Sequence, residues 1–225
     1  MALKMTYNVD ICFCIDATGS MGPVIDQVKE NALSFYKDVL QEMERKQKTL
    51  DHMRVRVIAF RDYVADEQPM MVSPFFDLPA QTADFESCVR SIEAKGGGDE
   101  PEDGLEALAY AIRSDWNQEG TKRRHVIVVW TDASTHEIGY GQDSPRYPKG
   151  MPKNFDELTS WWGDRQMEPY IKNAAKRLVL FAPKAPYWEQ VTETWNNVIC
   201  YPSTAGRGTE EYTYREIVDA ICNSI

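Results

Sequence analysis

The sequence has no long apolar run and no regular framework of cysteines. No apolar stretch approaches the roughly 20 residues that a membrane-spanning helix needs, and the amino-terminal segment MALKMTYNVD lacks the apolar core of a signal peptide. The five cysteines form no C-x-x-C pair, and Cys12 and Cys14 lie inside an apolar run, which is typical of reduced core thiols. These absences predict a cytoplasmic protein that does not bind a membrane.

Basic residues are the minority among the charges. The chain has 25 Lys and Arg residues against 35 Asp and Glu residues, which gives a formal net charge of -10 and a pI near 4.9. Nucleic-acid binding needs a basic face that displaces counterions from phosphates. The composition therefore argues against a nucleic-acid partner and favours cations or basic proteins.

The motifs of several enzyme classes are also missing. The chain has neither a Walker A lysine motif nor a G-x-G-x-x-G dinucleotide fingerprint. Thr18 stands where the nucleophile elbow G-x-S-x-G needs its first glycine, and where a haloacid-dehalogenase-type phosphotransferase needs a second aspartate. A triad of Ser20, Asp132 and His136 does not follow the hydrolase order along the chain. We therefore expect a protein that is not an enzyme.

Short apolar segments alternate with amphipathic ones along the whole chain. Strands are predicted at residues 9–15, 54–60, 70–76, 124–130, 177–182 and 197–201. Helices are predicted at 23–39, 85–94, 104–113, from 154 or 155 to 175, around Trp188, and at 212–222. Residues 138–154 are rich in Gly, Pro, Tyr and charge and are predicted to form an irregular surface loop.

This alternation predicts one domain, residues 1–225, of the α/β class. The expected architecture is a doubly wound, Rossmann-like three-layer α/β/α sandwich around a mostly parallel six-stranded sheet. Pro74 places the strand at 70–76 at an edge, because proline has no N–H to donate. Ligands of such sheets bind outside the carboxyl ends of the strands, and Asp16 and Asp132 both follow strands there.

The segment from Asp16 to Ser20 places a carboxylate and two hydroxyls at alternate positions of one turn. Asp16, Thr18 and Ser20 supply only oxygen, which suits a hard cation such as Mg²⁺. Because the hydroxyls are neutral, the cation stays electrophilic and can accept a carboxylate from a partner. The simpler interpretation is a turn that caps the following helix, and Asp132 alone could be an ordinary turn residue.

The same residues resemble the D-x-S/T-x-S signature of the von Willebrand factor A domain, whose members carry a metal-ion-dependent adhesion site. Asp16, Thr18 and Ser20 occupy the motif positions, and Asp132 stands where the family has an aspartate after the fourth strand. The resemblance runs from Val9 to the terminal helix and fits a bacterial or intracellular-type, stand-alone member. It also implies that the strand at 70–76 is a short antiparallel edge.

The family's remaining ligand is a threonine after a Gly-Gly pair, and this chain lacks it. The loop GGGDEPEDGL, which begins at Gly96, has the glycines and a helix after them but no threonine. Asp99 is taken as the substitute oxygen donor, with Glu100 and Glu102 as alternatives. An extra carboxylate at this point binds the cation more tightly but weakens the attraction of the cation for a partner's acid group.

The resemblance implies a binding module that holds Mg²⁺ or Mn²⁺ through Asp16, Thr18, Ser20, Asp99 and Asp132. The implied partner is another protein, whose Asp or Glu side chain completes the coordination of the cation. The alternative function is a metal-dependent hydrolase or phosphatase that uses the same cation to activate water.

Three further residues are weaker candidates. Arg61 and Asp62 follow the second strand on the same side as the metal motif, and His136 lies four residues beyond Asp132. Each is a candidate for contact with the rim of the site. The commoner role for such residues is a surface turn with a salt bridge, or a structural histidine.

Overall fold

The computed structural model describes residues 6–97, 100–163, 170–206 and 211–225, and these contain one seven-stranded sheet. Its strands are β1 (Thr6–Asp16), β2 (Thr49–Phe60), β3 (Met70–Val72), β4 (Phe76–Leu78), β5 (Arg123–Trp130), β6 (Lys176–Pro183) and β7 (Val198–Ser203). Their order is β3-β2-β1-β5-β6-β7, and β4 also pairs with β2. Five neighbouring strands are parallel, in the order β2-β1-β5-β6-β7. The strands β3 and β4 are antiparallel to β2. The predicted fold class is confirmed.

The antiparallel edge consists of two short strands where the sequence predicted one. Between β3 and β4 the ladder advances three residues on β2, from Ile58 to Val55, but four on the edge, from Val72 to Phe76. The extra residue is a bulge that accommodates Pro74, which cannot donate to the ladder. This interruption is why the sheet has seven strands and not the predicted six.

Helices cover both faces of the sheet. The described residues contain α1 (Gly22–Asn31), α2 (Phe35–Arg45), α3 (Thr82–Arg90), α4 (Gly104–Ile112), α5 (Phe155–Trp162), α6 (Pro186–Thr194) and α7 (Tyr214–Ser224), with a 3₁₀ turn at Gly19–Met21. None of these helices has the length and apolar character needed to cross a membrane. Residues 138–153 form turns and irregular backbone, as predicted.

Two helix predictions were wrong in extent. The helix predicted at 23–39 is divided into α1 and α2. The helix predicted to reach residue 175 ends at Trp162, because Gly163 takes a φ of 91° and its N–H bonds back to the last turn of α5. Residues 164–169 lie outside the described part of the chain.

Alternate residues of β1 face two separate apolar cores. Ile11 and Phe13 lie in a core that also contains side chains from α1, α2, α3 and α7. Cys12 and Cys14 lie in the other core, with α4, α5 and α6. A strand that is apolar on both faces is what a sheet between two helical layers requires, so the nearly continuous apolar run of β1 follows from its central position.

Different parts of the chain lie at the two ends of the sheet. The carboxyl ends of β1 and β5 lead to Asp16 and Asp132. At the opposite end, Thr6 begins β1, and the Arg124 Nε at the start of β5 donates to the backbone oxygen of Ile225 at 2.7 Å. That the whole chain forms one domain stays a prediction.

Candidate metal site

Loops that follow β1, β2 and β5 meet at the carboxyl edge of the sheet. These three strands are adjacent in the sheet order β2-β1-β5, so the loops after them are neighbours in space. The Ala17 N–H donates to the Phe60 carbonyl at 2.9 Å, which joins the loops after β1 and β2. The Thr131 hydroxyl donates to Asp16 Oδ2 at 2.7 Å, which joins the loops after β1 and β5.

Asp16 lies at the centre of this junction and is fully buried. Its Oδ1 accepts hydrogen bonds from the Thr18 N–H at 2.9 Å and from the Thr18 hydroxyl at 2.7 Å. Burial raises the pKa of Asp16 to about 6 despite these bonds, and the nearby charge of Asp132 adds to the rise. The folded protein therefore holds a carboxylate in a place that opposes its negative charge.

Ser20 and Asp132 form the second half of the site. The Ser20 hydroxyl donates to Asp132 Oδ1 at 2.9 Å across 112 residues of sequence. Asp132 is 1% exposed, whereas Ser20 is exposed. The structure thus brings together four of the five predicted metal ligands, Asp16, Thr18, Ser20 and Asp132. The fifth, Asp99, lies outside the described residues.

The glycine-rich loop packs directly against the metal motif. Gly96 and Gly97 have φ values of +81° and +75°, which other residues rarely adopt. A Cβ on Gly97 would lie 2.9 Å from Thr18 Cβ and 3.0 Å from Glu102 Oε1. A Cβ on Gly96 would lie 1.9 Å from Asp66 Oδ1. The positive φ favours glycine at both positions, and at Gly97 the close approach to Thr18 Cβ adds to this requirement.

Glu102 leaves this loop beside Thr18. Its backbone is fixed to the loop after β5, because its N–H donates to the Ser134 carbonyl at 3.0 Å and its carbonyl accepts from the His136 N–H at 2.9 Å. The side chain is 3% exposed, and its Oε2 has no hydrogen-bond partner within the described part of the chain. Burial raises the pKa of Glu102 to about 9, and the charge of Asp16 contributes further.

Asp103 and Glu106 are two more buried acids, and they lie at the start of α4, which follows the same loop. The Tyr63 N–H donates to Asp103, and burial raises the pKa of Asp103 to about 8. Glu106 Oε1 accepts hydrogen bonds from the Gly139 N–H and the Tyr147 hydroxyl, both at 2.9 Å. Sequence reasoning missed these residues as buried groups, since an acidic first helical turn is usually solvated.

Arg61 holds the loops around the site together through backbone carbonyls. Its Nε donates to the carbonyls of Ala17 at 3.0 Å and Lys95 at 2.7 Å. Its two terminal nitrogens donate to the carbonyls of Gln68 at 2.8 Å and Glu93 at 2.6 Å. Arg61 is only 6% exposed, so the expectation of a surface turn was wrong for this residue.

His136 pairs with Asp62 and not with the metal residues. His136 Nε2 donates to Asp62 Oδ2 at 3.2 Å, and the imidazole stacks on the Tyr140 ring with 3.8 Å between centroids. Ser20, in contrast, donates to Asp132. Ser20 and His136 thus each bond a different aspartate.

The donor set is made of carboxylates and hydroxyls. Among the residues that the structure describes, no three Asp, Glu, His or Cys side chains are grouped so as to hold a metal alone. A cation at this place would need the hydroxyls of Thr18 and Ser20 besides the carboxylates of Asp16 and Asp132. Oxygen donors of this kind suit Mg²⁺ or Mn²⁺, which keep water molecules in their coordination shell.

Comparisons with known proteins relate residues 10–142 of the chain to one family. A family model described as the von Willebrand factor A domain matches residues 10–142, which is more than half of the chain. The alpha-protein kinase vwkA of Dictyostelium discoideum is 28% identical over 152 residues, and the match covers 67% of this chain but only 22% of that protein.

Two groups of solved structures share the fold. The pilus adhesin SpaC of Lactobacillus rhamnosus GG matches 99% of this chain with a TM-score of 0.53 and 12% identity, over 30% of its own chain. Proximal thread matrix protein 1 of the mussel byssus matches 97% with a TM-score of 0.52 and 11% identity, over 49% of its own chain. At these identities the likeness extends to the fold alone.

Proposed function

The chain belongs to the von Willebrand factor A domain family, and from that premise we propose that it binds a partner protein through a divalent cation. Asp16, Thr18, Ser20 and Asp132 hold Mg²⁺ or Mn²⁺ in this proposal, with Asp99 as a further donor. The partner's Asp or Glu side chain completes the coordination shell. A protein-interaction module is the general role of the family; the cation and the mode of partner binding are our proposal.

One observation carries the proposal: two carboxylates and two hydroxyls form two hydrogen-bonded pairs, Thr18 with Asp16 and Ser20 with Asp132, on loops that meet at the carboxyl edge of the sheet. Asp16 and Asp132 come from loops 116 residues apart in sequence, yet the charge of Asp132 raises the pKa of Asp16. Carboxylates that repel each other in a buried position favour a cation between them. The hydroxyls of Thr18 and Ser20 donate to these carboxylates and are positioned to turn their lone pairs toward a cation.

The rim near this site offers apolar surface to a partner. Val64 is 58% exposed and Tyr140 is 56% exposed, and both flank the Asp62–His136 pair. A shallow groove between Val64 and Tyr140 is also lined by the exposed Arg146. Aromatic and arginine side chains commonly anchor protein interfaces, although Asp143 in the same groove offsets the charge of Arg146. These features support docking next to the metal.

An enzymatic function is the alternative proposal. The Dictyostelium relative is named as a kinase, but the chain spans 22% of that protein, so that activity does not transfer with the match. A metal-dependent hydrolase or phosphatase needs a base beside the cation, and His136 is bonded to Asp62 and covered by Tyr140. We expect no turnover of generic ester and phosphate substrates in Mg²⁺ above the rate in chelator.

The state of the cysteines supports a reducing compartment. All five cysteines are free thiols, and Cys12, Cys14 and Cys222 are buried. Free buried thiols persist where glutathione and thioredoxin keep them reduced. We therefore propose that the protein acts in the cytoplasm.

The proposal is tested by capturing partner proteins with the intact chain in Mg²⁺ and in chelator. Thr18→Ala and chelation should each abolish capture, while circular dichroism shows an unchanged fold. Thr194→Ala is the matched control, because Thr194 is an exposed residue on α6 whose hydroxyl donates to the Gln190 carbonyl of the same helix. Capture that survives both Thr18→Ala and chelation would mean that the partner docks on another face.

A further inference from the structure

A second groove lies where α2, α7 and the outer strand β7 meet. It has a volume of about 820 Å³, which is within the range of pockets that hold small ligands and leaves room for a short stretch of peptide. Three tyrosine rings line it, those of Tyr201, Tyr212 and Tyr214. None of the predicted metal ligands that the structure describes is among its lining residues. The groove is therefore a binding surface separate from the candidate metal site.

Two of the tyrosine rings form an aromatic corner. The ring centroids of Tyr201 and Tyr212 are 5.8 Å apart, and their planes meet at 80°. Phe181 supports both rings, with centroid distances of 4.9 Å to Tyr201 and 5.2 Å to Tyr212. The Tyr212 hydroxyl donates to the Pro202 carbonyl at 2.8 Å, which fixes its ring. Both tyrosines are only half-buried, and the negative face of an exposed aromatic ring attracts a cation.

The third tyrosine holds a carboxylate in the groove. The Tyr214 hydroxyl at the start of α7 donates to Asp38 Oδ2 on α2 at 2.9 Å. Asp38 lines the groove and is half-buried. Among the residues that the structure describes, no lysine, arginine or histidine forms an ion pair with Asp38. Its charge is therefore available to a cation that enters the groove.

Glu216 supplies a second carboxylate close to the aromatic corner. Its Oε2 accepts hydrogen bonds from the Thr213 N–H and the Thr213 hydroxyl, both at 2.8 Å, and these bonds fix the side chain at the start of α7. Burial raises the pKa of Tyr212, and the charges of Glu211 and Glu216 add to the rise. Glu216 also forms no ion pair with the other described residues. The tyrosine corner thus lies between two carboxylates that have no basic partner there.

The other charges of the groove largely neutralise one another. Glu42 pairs with Arg45 at 2.6 Å and with Lys46 at 3.0 Å, and Lys46 pairs with Asp219 at 2.8 Å. Arg215 is exposed and forms no ion pair within the described ranges. The lining includes four acids, at positions 38, 42, 216 and 219, against the two arginines, so the groove keeps a net negative charge.

We propose that this groove binds an arginine side chain from a basic segment of a partner protein. The guanidinium lies against the corner of Tyr201 and Tyr212, with the carboxylates of Asp38 and Glu216 as its acceptors. Arginine suits this place better than lysine, because its planar group stacks on aromatic rings and bonds a carboxylate through two parallel hydrogen bonds. Binding here needs no divalent cation, so the inference goes beyond the proposed function and does not depend on it.

The test is fluorescence anisotropy of the full chain with a labelled peptide of alternating glycine and arginine. Asp38→Asn should weaken binding at least about fivefold, because it removes one partner of a charge-assisted hydrogen bond; its amide oxygen can still accept from Tyr214, which preserves the fold. Asp84→Asn is the matched control, since Asp84 is an exposed acid on α3 outside the groove. It should change the affinity less than about twofold, as expected for a screened surface charge.

A second pair of variants tests the aromatic corner. Tyr201→Leu keeps an apolar side chain beside Phe181 but removes the ring, and it should weaken binding of the arginine peptide about threefold. Tyr170→Leu is the control, because Tyr170 is 56% exposed and does not line the groove. A peptide with lysine in place of arginine should bind the wild-type protein more weakly. Circular dichroism checks that each variant keeps the fold.

Arg215→Gln is expected to act in the opposite direction. It removes the exposed cation from the groove and should strengthen binding of the arginine peptide about twofold. Equal effects of Asp38→Asn and Asp84→Asn would show that net charge alone attracts the peptide, and would overturn the inference. Weaker binding in Arg215→Gln, or tighter binding of the lysine peptide, would do the same.

Chelation separates this inference from the proposed function. The peptide should bind with the same affinity in MgCl₂ and in EDTA, whatever the outcome of partner capture at the metal site. Loss of peptide binding in EDTA would place the peptide at the metal site and overturn a role for the tyrosine groove.

Discussion

Replacing Arg61 with methionine should weaken the fold more than any other removal of a surface or loop arginine. The methionine side chain is of similar length but offers no donor and no charge. Four carbonyls lose a charged partner, namely those of Ala17, Gln68, Glu93 and Lys95. They belong to three separate loops, so the substitution removes a link between all of them.

The size of the loss follows from the number and position of these acceptors. A hydrogen bond to a charged group contributes about 1.5–3 kcal/mol, so four give an upper bound of about 6–12 kcal/mol. Gln68, Glu93 and Lys95 are exposed residues where water can replace the guanidinium, whereas Ala17 is fully buried. We therefore expect a loss of about 3–5 kcal/mol in the free energy of unfolding, as for other broken buried charge contacts.

Urea denaturation followed by circular dichroism measures this loss. For a chain of this size, 3–5 kcal/mol lowers the melting temperature by about 6–20 °C. Arg45→Met is the control, because the side chain of Arg45 is 65% exposed and pairs with Glu42 on α2, so it should lose less than about 1 kcal/mol. Arg61→Lys should recover under half of the loss, since one ammonium reaches fewer carbonyls. Equal losses in Arg61→Met and Arg45→Met would refute the reasoning.

Three further substitutions test the surroundings of the site. In chelator, burial raises the pKa of Asp16 to about 6, so the folded state holds this proton more tightly than the unfolded chain does. As the pH rises from about 4 to about 6, this carboxyl should lower the free energy of unfolding by about 3 kcal/mol. The raised pKa values of Glu102 and Asp103 add to the fall, so Asp16→Asn should make the profile shallower by that amount in urea denaturation across pH. Gly104→Ala places a methyl group 2.5 Å from the Trp188 ring and should lower the free energy of unfolding by about 1–3 kcal/mol in thermal denaturation. Tyr147→Phe removes the hydroxyl that donates to buried Glu106. It should lower the free energy of unfolding by about 1.5–3 kcal/mol and make hydrogen exchange faster in residues 138–154.

Each of these expectations has a clear contrary result. A pH profile of stability that is the same in the wild-type protein and Asp16→Asn would show that this carboxyl is not strained by burial. Gly22→Ala is the control for Gly104→Ala, since a Cβ at Gly22 meets only Ala94, at an ordinary 3.8 Å. Similar losses in the free energy of unfolding of both glycine variants would contradict the steric argument. Unchanged exchange in Tyr147→Phe would mean that the loop is held by other contacts.

Local sequence pattern was enough to predict the sheet and the place of the site. The apolar run of β1 ends at Asp16, and that of β5 ends two residues before Asp132. Because the carboxyl ends of parallel strands lie at one edge, these positions had to meet. The pairing of Ser20 with Asp132 follows from the same geometry.

The pattern failed where a single residue or a distant contact decides the structure. The helix predicted to reach residue 175 kept its apolar spacing, but Gly163 in a left-handed conformation ended it. Pro74 pointed to an edge strand without revealing the bulge that divides it. The burial of Arg61 was beyond sequence reasoning, because its acceptors are spread over residues 17–95 and only the folded loops bring them together.

Thr6 and Ile225 lie at the end of the sheet opposite the candidate metal site, and this has a consequence for how the domain can be linked to other polypeptides. Thr6 starts β1 at the amino end of the sheet, and Ile225 is bonded to Arg124 at the start of β5. A segment attached after Ile225 therefore leaves from the pole opposite Asp16 and Asp132. The domain can be tethered, labelled or immobilised from that pole while its metal-side loops stay open to solution, which suits it to a terminal reporter or to attachment on a sensor surface.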